Sequence, residues 1–367
     1  MTAAKAAAQS DSAALLADDR FAAALFERVD VRPTPSLPLE VELELPNYVQ
    51  IEPVGQCNLR CRMCAIRYRK DGQPPGPPAF MDFDVFTRLV DQMDRMAVLH
   101  LQGLGEPMMH PRFFDMVEYA VGKGVRVTTN TNLTLLNRKR AIRAVESGLA
   151  ELHASLDGAS AGVYEAIRTR ARYSRVVANL EGLLAVRRAR AVLRPSITIV
   201  FVVMRRNVHE LPELVRQAGR WGVEEVFVQH LCHDFGESTL PAEYAPMREF
   251  VSAESIVGDA SGTIDELLAA AREEAERAGL ELRLPRFAPK AAPGCDWPRR
   301  GIYLSWQGIA MPCCMVGTPD RVDLGNMAEL GVKRVWNGAA YRAFRERLDA
   351  GDPHEICRSC SLYRGTF

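Results

Sequence analysis

Between residues 48 and 231 the chain repeats one alternation. The runs YVQIEPVG, AVLHLQGLGEP, VRVTTNTN, ELHASLDG, SITIVFVVM and VEEVFVQHL read as strands, and most are followed by a helical stretch. The helices expected are DFDVFTRLVDQMDRM, with Asp82 as its N-cap, then Pro111 to Gly122, Leu136 to Ser147, about Ala161 to Arg190, and Val208 to Trp221. Strands that are apolar along nearly their whole length, separated by helices, form a parallel sheet covered on both faces. Such a sheet is doubly wound or a barrel, and in both cases ligands sit at the carboxyl ends of its strands. The polar residues follow suit: a cysteine loop after the first strand, Gly105-Glu106 after the second, Thr131-Asn132 after the third, Ser155-Asp157 after the fourth and His230-Cys232 after the sixth.

The remainder divides by character. Residues 1–46 form an Ala-rich helical extension without the apolar core of a signal peptide, and no run is long enough to span a membrane. Residues 47–235 hold the alternating segment. Residues 236–294 are a connector with the helix TIDELLAAAREEAERAG, a short strand LELRLP and a Pro/Ala-rich end. Residues 295–367 open on a hairpin, GIYLSWQGIAMPCC, turning at Gln307-Gly308, and two short helices precede EICRSCSLYRGTF. With 46 basic and 46 acidic residues the net charge is zero, which gives no field for nucleic acid or an anionic membrane.

The nine cysteines are unevenly spread. Cys57, Cys61 and Cys64 lie on one loop as C-x3-C-x2-C, with no fourth Cys or His nearby. Three thiolates can hold three irons of a 4Fe–4S cluster and leave the fourth open, whereas a zinc site needs a distant fourth ligand. Cys295, Cys313, Cys357 and Cys360 make a second set, four thiolates for a closed site. Their spacing does not choose between iron–sulfur and zinc. Clustered thiols without an export signal point to a reducing, cytoplasmic setting.

At this level of detail the sequence resembles the radical S-adenosylmethionine (SAM) family. CNLRCRMC is similar to that family's cluster loop, GLGEP to its glycine–glutamate motif, TNLTLL to a third-strand motif with Leu133 where Gly is usual, and SLDGASAGVYEAIR to the segment whose Ser and Arg contact the ribose and carboxylate of SAM. The resemblance implies a partial (β/α)6 barrel of TIM-like form, an α/β fold. It implies a SAM-binding 4Fe–4S cluster on Cys57, Cys61 and Cys64, and SAM itself held by Met63, Gly103, Gly105, Glu106, Asn132, Ser155 and Arg168. One electron through such a cluster splits the sulfonium and gives a 5′-deoxyadenosyl radical. Glu106 suits an amine and Arg168 a carboxylate. The C-x12-G-x4-C opening and the LGNM…VWN…CRSC run resemble SPASM and twitch domains, which implies a small α+β unit with an auxiliary 4Fe–4S cluster on Cys295, Cys313, Cys357 and Cys360. Because only seven residues follow Cys360, the shorter single-cluster form is expected.

The resemblance also frames the reaction. A closed auxiliary cluster can accept an electron, so oxidation or epimerisation of a small polar substrate such as a sugar or aminocyclitol is the first expectation, with flavodoxin or ferredoxin as electron donor. Cys232 is the candidate thiol for returning hydrogen to a substrate radical, or else a small apolar residue at the barrel mouth; His230 and His233 flank it. The alternative is a maturase that modifies a ribosomal peptide. Residues 1–46 are too short and Ala-rich to be the leader-binding domain that such enzymes often carry. A non-catalytic metal-binding module is the third reading.

Overall fold

A computed structural model describes residues 42–71, 77–231, 237–259, 262–287 and 291–366. The expected N-terminal helical extension therefore lies outside the described residues up to residue 41, as do Cys232 and His233.

All six expected strands form: β1 (Tyr48–Ile51), β2 (Val98–Leu101), β3 (Arg126–Thr131), β4 (Glu151–Ser155), β5 (Ser196–Val203) and β6 (Glu225–His230). They pair in sequence order and in parallel, and every residue of β1 and β2 is buried. Helices α1 (Phe83–Asp91), α2 (Phe113–Gly122) and α3 (Arg138–Glu146) return the chain between the first four strands. Asp82 caps α1 by accepting from the amides of Asp84 (2.9 Å) and Val85 (3.1 Å), and α1 buries Phe86, Leu89 and Val90. This is the α/β partial barrel expected of the alternation.

The sheet is wider than six strands. The LELRLP segment supplies β7 (Glu281–Arg283), parallel beside β6, and the C-terminal hairpin supplies β8 (Gly301–Leu304) and β9 (Ala310–Met311). Strand β8 runs parallel to β1, with Tyr48 opposite Gly301 and Ile51 opposite Leu304, so the order across the sheet is β7-β6-β5-β4-β3-β2-β1-β8-β9. The C-terminal unit thus continues the barrel sheet through backbone hydrogen bonds. Three helical segments, Met327–Leu330, Val332–Trp336 and Ala339–Asp349, precede the last cysteine pair where two were expected.

The long helix expected from Ala161 to Arg190 is two: α4 (Ala161–Ile167) and α5 (Tyr173–Ala189). Arg168 is the residue on which α4 ends, and Arg170 adopts a left-handed φ of 78°. The break leaves Arg168 at the barrel rim. A shorter helix, α6 (Leu211–Trp221), follows β5, and α7 (Ala245–Glu254) and α8 (Gly262–Ala278) come from the connector, α8 packing on α6.

A buried charge network ties the ends of these pieces together. Arg69 donates to Glu52 (2.6 Å), and both side chains are fully buried. Arg69 also forks onto both oxygens of Asp71, at 2.5 and 2.6 Å. Glu52 accepts in addition from the amides of Leu104 (3.0 Å) and Trp306 (3.3 Å), and the Trp306 indole donates to Asp71 at 2.9 Å. Burial works against the Arg69 charge, but Glu52 and Asp71 outweigh it and raise its pKa. Breaking one side of such a pair strands the other charge in the interior, so Glu52→Ala is expected to cost about 3 kcal/mol, and Glu52→Gln with Arg69→Met less. Denaturant midpoints of the metal-free chain decide it; a single-variant loss below about 0.5 kcal/mol would show the pair is not holding these segments.

Candidate active site

The cysteine loop follows β1 and is pinned from three sides. Its Arg60 amide donates to the Thr169 carbonyl at 3.1 Å, just beyond the end of α4. The Asn58 amide group donates to Thr134 Oγ1 (2.8 Å) and accepts from Asn132 Nδ2 (3.1 Å). Within the loop the Leu59 amide points at Cys57 Sγ (3.3 Å), and Asn132 Nδ2 lies 3.7 Å from the same sulfur. Burial pushes the Cys57 and Cys61 thiols up, against the pull of Arg168 on Cys61.

These thiols share one cavity of about 260 Å³ with Met63, Gly103, Gly105, Glu106, Asn132, Ser155 and Arg168. Every residue expected at the SAM site by resemblance is on its wall. The two glycines are there for space. A β-carbon on Gly103 would drive into the Glu52 side chain, and one on Gly105 into the Val54 and Gln56 carbonyls. Leu133, standing where Gly is usual in the motif, has φ 62° and is fully buried. The backbone there asks for the left-handed region, so Leu133 bears strain of about 1 kcal/mol or more while filling core space.

Glu106 is nearly enclosed. Its oxygens accept from Thr131 Oγ1 (2.8 Å), the Asn132 amide (2.8 Å) and the Met108 amide (3.2 Å), so it both caps a short turn and faces the cavity. Burial nevertheless raises its pKa. Arg168 donates through Nε to Asp157 (2.7 Å), and Asp157 also accepts from the Val202 amide (2.8 Å). Anchored at Nε, the guanidinium keeps terminal N–H groups for the cavity.

The rest of the wall comes from segments that carry no motif. Leu231, Met247 and Val251 come from the end of β6 and from α7, and Cys314 to Gly317 with Arg321 from the C-terminal unit. Nothing local in the sequence could have marked them, because only the folded connector brings them here. Through Gln102, Gly103, Leu104, Asn130, Cys314 and Met315 the cavity adjoins a second one of about 440 Å³ in the barrel interior. Polar side chains line that interior, among them Gln50, His100, Thr128, His153 and Gln229. Burial pushes His100 down to about 3, and it pairs with Thr128 Oγ1 at 2.6 Å. His230 does not line the cavity of the loop thiols: its Nε2 meets the Arg286 carbonyl at 3.1 Å and its ring stands edge-on to Phe287.

The second thiol set also assembles. Cys313 is buried and its thiol is pushed up by that burial, with Cys314, Cys360, Cys295 and Cys357 adding to the shift, and the four expected ligands belong to one apolar cluster with Tyr48, Trp297, Tyr303 and Ile356. The Gly294 amide donates to the Tyr363 carbonyl (2.9 Å), which holds the Cys295 segment against the last helix. Desolvation raises Cys295 and pushes Cys357 up to about 12. Among the described residues no three His, Cys, Asp or Glu side chains converge on a single-ion site. The four thiols gather in one cluster of side chains, a donor set that a 4Fe–4S cluster takes.

A parallel partial barrel with a three-thiol loop after its first strand and a four-thiol unit at its C-terminus defines an iron–sulfur protein of the SAM-cleaving kind. Residues 51–218 match the Radical SAM superfamily profile, and residues 295–361 match SPASM, described as an iron–sulfur cluster-binding domain. The chain belongs to the radical SAM superfamily and carries a SPASM domain. Its cofactors are accordingly a 4Fe–4S cluster, SAM and auxiliary iron–sulfur. The tungsten-containing aldehyde ferredoxin oxidoreductase cofactor-modifying protein of Pyrococcus furiosus is 26% identical over 336 residues, 86% of this chain and 87% of its own length. Mycofactocin maturase MftC of Mycobacterium ulcerans is 32% identical over 185 residues, 49% of this chain, so the chain spans about half (46%) of that protein. PqqA peptide cyclase of Rhodopseudomonas palustris is 24% identical over 327 residues, 87% of this chain and 80% of its own length. In fold, the chain is similar to Streptococcus suis SuiB bound to precursor peptide SuiA (TM-score 0.61, 13% identity, 88% of this chain, 71% of that one). Among the described residues no helix is long and apolar enough to cross a membrane.

Anaerobic reconstitution is expected to load about eight irons per chain, and Cys57→Ala with Cys61→Ala to remove about four while sparing the rest. Iron assay with Mössbauer spectra checks this; loss of all iron in that double variant would contradict two independent sites. Arg168→Lys keeps the charge but not the fork, and should weaken SAM binding about tenfold by calorimetry, with iron unchanged.

Proposed function

We propose that the chain is a radical SAM enzyme that modifies a peptide or protein substrate. Cys57, Cys61 and Cys64 hold the SAM-binding cluster, Glu106 receives the amino group of SAM, and Arg168 its carboxylate. Ser155 and Asn132 flank the ribose side, and Met63 packs on the adenine. Cys295, Cys313, Cys357 and Cys360 hold one auxiliary cluster, and a flavodoxin or ferredoxin supplies the electron. When bound, the first cluster provides the reductive cleavage of SAM on which the reaction depends.

The observation that carries this reading is the slot formed by the two adjoining cavities. The SAM-side cavity is bounded by the cysteine loop on one side and by Cys314–Gly317, next to the auxiliary thiols, on the other. The neighbouring interior cavity gives it length, and besides the ion pairs Arg126–Glu151 and Arg283–Glu225 its wall carries amide, hydroxyl and imidazole groups of the kind that bond an extended peptide segment. Relatives named a maturase and a peptide cyclase favour this reading over the oxidation or epimerisation of a sugar or aminocyclitol.

Holoenzyme with SAM and reductant should release 5′-deoxyadenosine faster when a suitable peptide is present, with a matching mass change in that peptide. Stimulation by cyclitols or sugar alcohols, with no member of a broad peptide panel altered, overturns the peptide substrate and leaves SAM cleavage standing.

A further inference from the structure

Arg283 ends strand β7 and lines the interior cavity of about 440 Å³. Its guanidinium lies over the Phe227 ring, with Cζ 3.6 Å from the ring centroid, and the two residues are opposite one another in the β6–β7 ladder. Stacking holds a guanidinium flat and leaves its N–H edge for a ligand. That edge is idle. Glu225 Oε1 lies 3.2 Å from Nε but is misaligned, so the enclosed Nε has no hydrogen-bond partner. Among the described residues no oxygen accepts from either Nη group.

Other guanidiniums of the chain show what a satisfied one does. Arg69 holds two carboxylates, Glu52 through Nη1 (2.6 Å) and Asp71 through Nε and Nη2 (2.5 and 2.6 Å). Arg345, stacked 3.9 Å from the Trp336 ring, donates to the Pro298 and Trp336 carbonyls, both at 2.8 Å. Arg126, on the wall of the same cavity as Arg283, donates to Glu151. Arg283 has one misaligned carboxylate where Arg69 has two. Glu225 is held back from a better approach, because its other oxygen accepts from Thr198 Oγ1 at 2.9 Å. The next acid by register, Glu281, is exposed to solvent.

A second carboxylate fits this edge, since it can take two parallel N–H···O bonds from it. Its place in the barrel is defined by the sheet. Ser155, Val200, Phe227 and Arg283 are successive partners across β4, β5, β6 and β7. Ser155 lines the SAM-side cavity and the other three the interior one. Strands in a sheet lie about 4.8 Å apart, so Arg283 is within about 14 Å of Ser155, the length of about four extended residues.

We propose that Arg283 is a specificity-determining residue that binds a carboxylate of the substrate, an acidic side chain or a chain terminus, in the barrel interior. The residue to be modified then lies within about four positions of that carboxylate. This rests on the peptide substrate proposed above.

The test titrates the reconstituted full chain with N-acetylglutamate amide, N-acetylglutamine amide and N-acetylglycine, followed by ligand-observed NMR. The glutamate probe should bind about tenfold tighter than the glutamine probe, and Arg283→Gln should level the two. Whichever of the glutamate probe and N-acetylglycine binds tighter names the source, side chain or chain terminus. Glu225→Gln removes the competing carboxylate and should tighten the acid about threefold; it decides the matter if Arg283→Gln does not fold. Equal binding of acids and amide by the wild type overturns the site. So does an acid preference that survives Arg283→Gln, or acid binding that Glu225→Gln leaves unchanged or weakens. Failure of every peptide to be modified, with the acid probe still bound through Arg283, would sink the proposed function and leave this site standing. Equal kcat/KM for acidic and neutral peptides would do the reverse.

Discussion

A buried carboxylate–guanidinium pair decides how this barrel closes over its chemistry. Glu52 ends the first strand, Arg69 ends the cysteine loop, and their contact at 2.6 Å is fully enclosed. Through its remaining lone pairs Glu52 reaches the glycine–glutamate loop at Leu104 and the C-terminal hairpin at Trp306. Four segments far apart in sequence are thereby fixed to one another. A hydrophobic contact of similar size would hold them together but would not set their mutual angles, because only the hydrogen bonds carry direction. Gly103 belongs to the same constraint, since any side chain there would displace Glu52.

That frame explains how reactive groups are kept orderly in a dry setting. Burial pushes up the thiols of Cys57, Cys61, Cys295, Cys313 and Cys357 in the metal-free chain. Taking up iron requires them to shed protons, so loading is coupled to pH and to the folded state. The carboxylate of Glu106 is likewise desolvated but surrounded by donors already aimed at it. Charge is placed where a ligand can complete it, and the chain's own hydrogen bonds keep it from wandering.

How much of this the sequence discloses depends on the physics involved. Strands β1 to β6 are legible because parallel strands covered on both faces must be apolar along their length. Edge partners are not: nothing in LELRLP or GIYLS says that the one lies beside β6 and the other beside β1, since that choice is made by the whole sheet. The break between α4 and α5 is invisible to propensity because the stretch reads as continuous helix, and it rests on one left-handed residue, Arg170. Glu52 and Arg69 look like surface residues, as such types usually are. The thiol loop and the glycine–glutamate turn are legible through spacing and resemblance, yet Met247, Val251 and Met315 reach the cavity only through tertiary folding. Leu133 shows both sides: the motif flags the position, and only the backbone angle says why glycine is favoured there.

Strand β8 lies hydrogen-bonded along β1, in register from Tyr48–Gly301 to Ile51–Leu304. The loop that carries the first three cysteines and the hairpin that leads to Cys313 therefore spring from neighbouring rungs of a single ladder. Bending the first strand therefore carries the hairpin with it, and the cysteine loop cannot shift along the sheet without dragging the approach to Cys313. Cys357 and Cys360 reach the same cluster from separate helical segments, so the second thiol set is gripped by the shared ladder on one side alone.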